Sequence, residues 1–425
     1  MSSIIKQIKY QFEQLVRSIK NKNYREVFRV GIFVFLTLTI FTTFSFSRRA
    51  GFNQITNIVY ALLLLTTLAY ITIYGKFIFD YFFVLLAIFN AAVILSSLMN
   101  WTFNSQNFTI VFLSATIFTL YQYLVHDREN TKQFLIAFAL GSIGYLLYFV
   151  IIYARPLITF DFSRRLGTYF APINSNAMAL AFIAVFFLYF ATSKKIYSLY
   201  IVYFIAVWLL LSTGSMTYLG IVIIATLITI YLKIPKGQKY IFVIMILALI
   251  VIGLGILQIP QLIYFKRRVY GIIGNMFSVD TGSEDISGQI RTALREEMVL
   301  LFLRKPLLGF GPGQVIKYNS FLLIGHSDIL ELLANFGLVG FLAFEMFLIT
   351  PIIKSFRHKP EYYMLGLLWA LTIVISRLFF HLYLFKTTYL VIMYLYAITY
   401  NPENKKVFSL NIPLNKLRRK PKTAL

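Results

Sequence analysis

Twelve apolar runs constrain this chain more than any other feature. They fall at about residues 28–46, 55–74, 77–99, 108–125, 133–153, 174–192, 196–212, 216–232, 239–259, 327–353, 361–384 and 387–400. A helical membrane crossing takes about 20 apolar residues, and most of these runs have that length. In hydrocarbon each backbone N–H and C=O must be satisfied within its own segment, so such runs fold as helices. The expected fold is therefore all-α, a polytopic integral membrane protein with about 12 transmembrane helices. Composition agrees: of 425 residues, 59% are hydrophobic and 13% charged, and the mean hydropathy is +0.75. A soluble protein carries about 25% charged residues, so soluble and disordered classes are excluded.

An even number of crossings puts both termini on one side. The leader, residues 1–27, sets Ile4, Ile8, Phe12, Leu15 and Ile19 at helical spacing among Lys6, Lys9, Arg17, Lys20 and Lys22. That pattern reads as a basic amphipathic helix on an anionic inner leaflet, not as a cleavable signal. Residues 28–400 form the transmembrane part, and residues 401–425 a basic tail. Two long segments lie on the outer side, 154–173 and 260–325. Within the second, residues 289–305 predict an amphipathic helix with Ile290, Leu294, Met298 and Leu301 on one face. It is expected to lie along the outer membrane surface.

The formal net charge is +24. In a soluble protein this would suggest nucleic acid; here it is first a matter of topology, since inner loops collect Lys and Arg. With cytoplasmic termini, 25 of the 40 cations are inside, and only seven of those are Arg. Of the 15 others, eleven are Arg. A lysine suffices to hold a loop against lipid, whereas the guanidinium fork binds phosphate oxygens bidentately. An Arg-rich outer face points to a phosphate-bearing ligand, though single outer arginines also fit pairing with outer acids. No nucleic acid is expected.

Particular residues carry this further. Arg377 lies in the eleventh apolar run with His381 one turn on. An arginine in a membrane segment marks a functional site, although one near the interface also fits snorkelling. The stretch His326-Ser-Asp328-Ile-Leu-Glu331 puts a histidine beside carboxylates, an arrangement suited to taking a proton from a hydroxyl. It equally fits a capped helix start. The Gly-rich run Pro306-Leu-Leu-Gly309-Phe-Gly311-Pro-Gly313 has no following Lys-Ser/Thr, so it is not a nucleotide loop. Its glycines fit a tight turn that brings backbone close to a ligand. With no cysteine and four histidines lacking ligand spacing, neither a metal nor a cofactor is expected.

Three stretches together resemble the O-antigen ligase and polysaccharide polymerase family. They are Arg164-Arg165-Leu-Gly167 through Pro172-Ile-Asn174-Ser-Asn176, Gly288-Gln-Ile-Arg291 with Arg304-Lys-Pro306-Leu-Leu-Gly309-Phe-Gly311, and His326 through Gly337-Leu-Val-Gly340. The chain departs from the family pattern at Met216, where an Arg is common, and at Ser327, where an Asn is common. The resemblance implies a multi-pass enzyme of the bacterial plasma (inner) membrane. It would transfer glycan from an undecaprenyl-diphosphate-linked oligosaccharide, with membrane lipid, a chain-length regulator and a flippase as partners. His326, Arg291 and Arg165 would be catalytic, and Arg164, Arg295 and Arg377 would bind the diphosphate. Asp328, Glu331, His381, Gly309, Gly311, Asn174 and Asn176 would support them. A polymerase fits best; a ligase transferring finished glycan, or a flippase, are the other readings.

Overall fold

The computed structural model describes residues 24–45, 50–159, 166, 173–256, 258, 266, 269–270, 286–323, 325, 327–358, 362–380, 382–383, 385–400 and 408–410. Residues 1–23 of the N-terminal leader and nearly all of the basic tail lie outside the described residues. A helix sits on every one of the twelve apolar runs. In chain order these are α1 (Tyr24–Ser45), α2 (Ala50–Tyr74), α3 (Tyr81–Asn100), α4 (Ser105–His126), α5 (Arg128–Ile152), then, after a short α6 (Ala154–Ile158), α7 (Ile173–Ser193), α8 (Leu199–Ser212), α9 (Met216–Lys233) and α10 (Tyr240–Ile256). Next come α11 (Ile286–Arg304) and the one-turn α12 (Val315–Tyr318), followed by α13 (Asp328–His358), α14 (Tyr363–Arg377) and α15 (Lys386–Ile398). Among the described residues, eight helices are long and apolar enough to cross a membrane. The protein is an all-α integral membrane protein, and its outward faces carry the bare apolar side chains that lipid covers, such as Leu65, Ile151, Phe204 and Val251.

Local sequence sets the helix ends. Asp80 caps α3, its carboxylate accepting from the Phe82 and Phe83 amides at 3.0 and 3.4 Å. Asn104 and Asn107 cap α4 reciprocally, and Asp127 caps α5 through the Glu129 amide. Helix α7 runs through the middle and is the most enclosed of the long helices. Its alanines 177, 179, 181 and 184 let α8, α9 and α14 approach closely. Trp369 of α14 donates its indole N–H to the Phe182 carbonyl at 3.2 Å and stacks on Phe186.

Two features depart from the hydropathy reading. Phe77–Phe79, read as the start of the third apolar run, is a strand, β1, paired antiparallel with β2 (Phe408–Leu410) from the tail. The run at 327–353, read as one span, is two helices. Gly337 breaks α13 with φ 62° and ψ −167°, so residues 328–336 and 338–358 point in different directions.

Candidate active site

The break in α13 is held open by the Gly-rich run. The Phe310 and Gly311 amides donate to the Ala334 and Asn335 carbonyls at 3.0 and 2.8 Å. In return the Leu338 and Val339 amides donate to the Pro306 and Leu307 carbonyls at 2.7 and 3.2 Å. Such backbone pairing satisfies the groups that a broken helix exposes, as burial requires. It needs near contact between two main chains. A Cβ on Gly337 would overlap the Leu307 carbonyl, and one on Gly309 would overlap the Asn335 carbonyl; both residues also have positive φ. Gly309 and Gly311 thus bring backbone against backbone, where the sequence reading has it approach a ligand. Helix α3 closes the seam: Ser96 donates to the Leu308 and Asn335 carbonyls, and Asn100 to that of Gly309.

Helix α11 spans 286–304, close to the expected 289–305. Its buried Leu294, Met298 and Leu301 pack on Phe310, Val315 and Ala334, with Leu330 alongside. The apolar face expected against the membrane surface therefore meets the Gly-rich run and the first half of α13. Periodicity shows that a face is apolar, and a partner helix and lipid satisfy that equally. Arg295, on the same helix, donates to the Leu378 carbonyl at 3.2 Å and fastens α11 to the end of α14. Arg291, one turn earlier, is half-buried.

At that junction sits a buried charge cluster. Arg377 Nε donates to Asp328 Oδ2 at 2.7 Å, Nη1 donates to Glu345 Oε2 at 2.9 Å, and Nη2 reaches the other Glu345 oxygen. The guanidinium also lies over the Phe344 ring, 5.4 Å from its centroid. Asp328 accepts in addition from the Tyr383 amide at 2.7 Å. The Tyr383 hydroxyl donates to Glu331 Oε1 at 3.2 Å and accepts from the Asn335 amide group at 3.2 Å. Glu331 is 2% exposed, and its Oε2 has no hydrogen-bond partner among the described residues.

Of the expected site residues, Asp328, Glu331, Arg377, Arg295, Gly309 and Gly311 thus come together, with Arg291 on the flanking helix. The sequence reading gives Arg377 to the diphosphate; in the structure each of its guanidinium nitrogens donates to a carboxylate. Asn174 and Asn176 begin α7, where Asn176 accepts from the Tyr145 hydroxyl at 3.1 Å. Leu166, from the stretch between Arg164 and Asn176, donates its amide to the Ser212 carbonyl at the end of α8. His326, His381, Arg164, Arg165 and Gly167 lie outside the described residues. Sequence reasoning passed over Glu345, Asn335 and Tyr383. For Glu345 there was a signal, since an acid in one span next to an Arg in the following one argues for a pair.

Residues 199–344 match the O-antigen ligase family. The match runs from the start of α8 through the Gly-rich run and the break at Gly337, and it stops one residue short of Glu345. It takes in Arg291, Arg295, Asp328 and Glu331 and leaves out Arg377. The stretches 288–311 and 326–340 lie within the match and 164–176 lies before it; the match is consistent with an O-antigen ligase/polymerase family of membrane enzymes. No curated protein matches the chain.

Proposed function

We propose that this O-antigen ligase-like protein is a membrane glycosyltransferase that joins undecaprenyl-diphosphate-linked oligosaccharide repeats into a surface polysaccharide. The Arg377 end of the bundle faces outward, both termini face the cytoplasm, and the membrane is the bacterial plasma membrane. The observation that carries this reading is α11: a helix bearing Arg291 and Arg295 is clamped against the half-helix that carries Asp328 and Glu331. It sets phosphate-binding forks beside carboxylates at one mouth of the bundle.

In the reaction the donor C1–O bond to the diphosphate breaks as a hydroxyl of the acceptor sugar bonds to C1. Negative charge grows on the phosphate oxygens, where Arg291, Arg295, Arg164 and Arg165 stabilise it as preorganised donors. His326 takes the hydroxyl proton. Glu331, with one oxygen still able to accept, helps orient that hydroxyl.

Full-length protein in membranes, with lipid-linked repeat as substrate, tests this. Arg291→Ala and His326→Ala should each abolish polymer while the protein still reaches the membrane. Near-normal polymer from either variant removes that residue from the mechanism. Arg291→Lys should lose at least about tenfold in rate, since lysine keeps the charge and loses the fork.

The family match itself favours a second reading, in which a finished glycan is moved to another acceptor. The product decides. Cells lacking a polymerase accumulate single lipid-linked repeats, whereas cells lacking a ligase accumulate long unattached polymer.

A further inference from the structure

Arg377 reaches two carboxylates that belong to different halves of α13. Asp328 lies in the half before Gly337 and Glu345 in the half after it. Along an unbroken helix they would sit about 26 Å apart, at about 1.5 Å per residue, beyond the reach of one guanidinium. The break at Gly337 is what lets both meet Arg377, and Arg377 in turn ties the two halves together across it. The same cluster secures two further pieces. Asp328 receives the Tyr383 amide, which holds the segment after α14, and Arg295 of α11 bonds to Leu378, the residue after Arg377. Arg377 and Asp328 are 5% and 0% exposed. A guanidinium so enclosed, with every nitrogen directed at a carboxylate, has no fork left to offer a phosphate.

We propose that Arg377 is a positioning residue. It pins the half-helix 328–336 to the half-helix 338–358 and so sets Glu331 and the start of α13 against the arginines of α11. It takes no part in binding diphosphate. Stability follows from the pin by itself; the kinetic part rests on the glycosyl transfer proposed above.

Three variants of the full-length protein test this, purified in detergent and assayed with the lipid-linked donor. Arg377→Met should lower the thermal midpoint and folded yield, because two enclosed carboxylates lose their counter-charge. Adding Asp328→Asn and Glu345→Gln to it should recover much of the midpoint, because the stranded charges are gone. Glu345→Gln alone, at the more exposed partner, should lower the midpoint and kcat while donor KM stays within about twofold. Two results overturn the proposal. One is Arg377→Met as heat-resistant as the parent. The other is a donor KM that falls in Glu345→Gln, showing that a freed Arg377 captures diphosphate. Should Arg377→Met not fold even with both acids neutralised, Glu345→Gln decides alone. If no variant or parent transfers glycan, the midpoints still decide the pin, and only the function proposed above fails.

Discussion

Each end of the helix bundle holds an arginine among carboxylates, and the two differ in how far water is shut out. At one end Arg29 of α1 donates to Glu26 at 3.0 Å and to Asn130 at 3.1 Å, with Asp127 at 3.7 Å. Glu26 and Asp127 keep 31% and 37% of their side-chain surface. At the other end Arg377 and Asp328 are enclosed, and Glu345 keeps 18%. Water screens the first set, so it contributes little; in the second, each charge depends on the others. The two ends also differ in backbone. Around Arg29 the helices are regular and Asp127 caps α5, whereas at the Arg377 end a helix is broken and its exposed peptide groups are met by a loop. A broken, charge-bearing helix end is tolerated in a membrane protein only where protein encloses it, and such places are where substrates meet it.

The largest effect should come from Gly337→Ala. Positive φ alone costs about 1–3 kcal/mol for a residue with a Cβ, and here the added carbon also overlaps the backbone of Leu307, which no rotamer change relieves. The break, the Gly-rich run and α11 should come apart together while the Arg29 end stays folded. Hydrogen exchange resolved along the chain would show this as lost protection over 286–340 alone. Uniform loss of protection would mean that the two ends do not fold as separate units.

Asn335→Ala should come next. This fully buried side chain meets the Tyr383 hydroxyl and the Val315 amide, and so ties the half-helix to the segment after α14 and to α12. Losing one partner of buried hydrogen bonds costs about 1–3 kcal/mol. The measurement is the thermal midpoint in detergent. If Asn335→Ala leaves it unchanged, these bonds are replaced locally and the seam rests on backbone pairing alone.

How much of this was legible follows from the same contrast. Hydropathy found a helix at each of the twelve runs, and the 3.6-residue period found α11 within a few residues, because both signals are local. It missed the break at Gly337, since a run stays apolar whether or not its axis bends and membrane helices tolerate glycine. It also missed that Gly309 and Gly311 serve Gly337, 26 to 28 residues away in sequence. Arg377 stood out as a cation in an apolar run, but its partners lie 32 and 49 residues off, where spacing rules do not reach. Strand β1 escaped notice because a single residue, Asp80, separates the apolar Phe-Ile-Phe from the apolar run of α3.

The smallest effect should come from Arg29→Met, and it is the sharpest check on the comparison. Methionine keeps the apolar stem packed between α1 and α5 and removes only the guanidinium. The carboxylates left behind are at the surface and can be hydrated where they stand, so the loss should be about 1 kcal/mol. One further group adds to that loss: the buried Asn130 side-chain oxygen loses a donor, while its amide keeps the bond to the Tyr123 carbonyl at 2.7 Å. Polymer formation should persist, because among the described residues Arg29 bonds to Glu26, Asn130 and Asp127 and to none of the half-helix or α11. The comparison is made by measuring Arg29→Met and Arg377→Met side by side, the second expected to lose about 3–5 kcal/mol. Equal losses would show that enclosure does not separate the two ends. Arg377 would then be no more committed to its carboxylates than a surface residue, and its fork would again be open to a diphosphate.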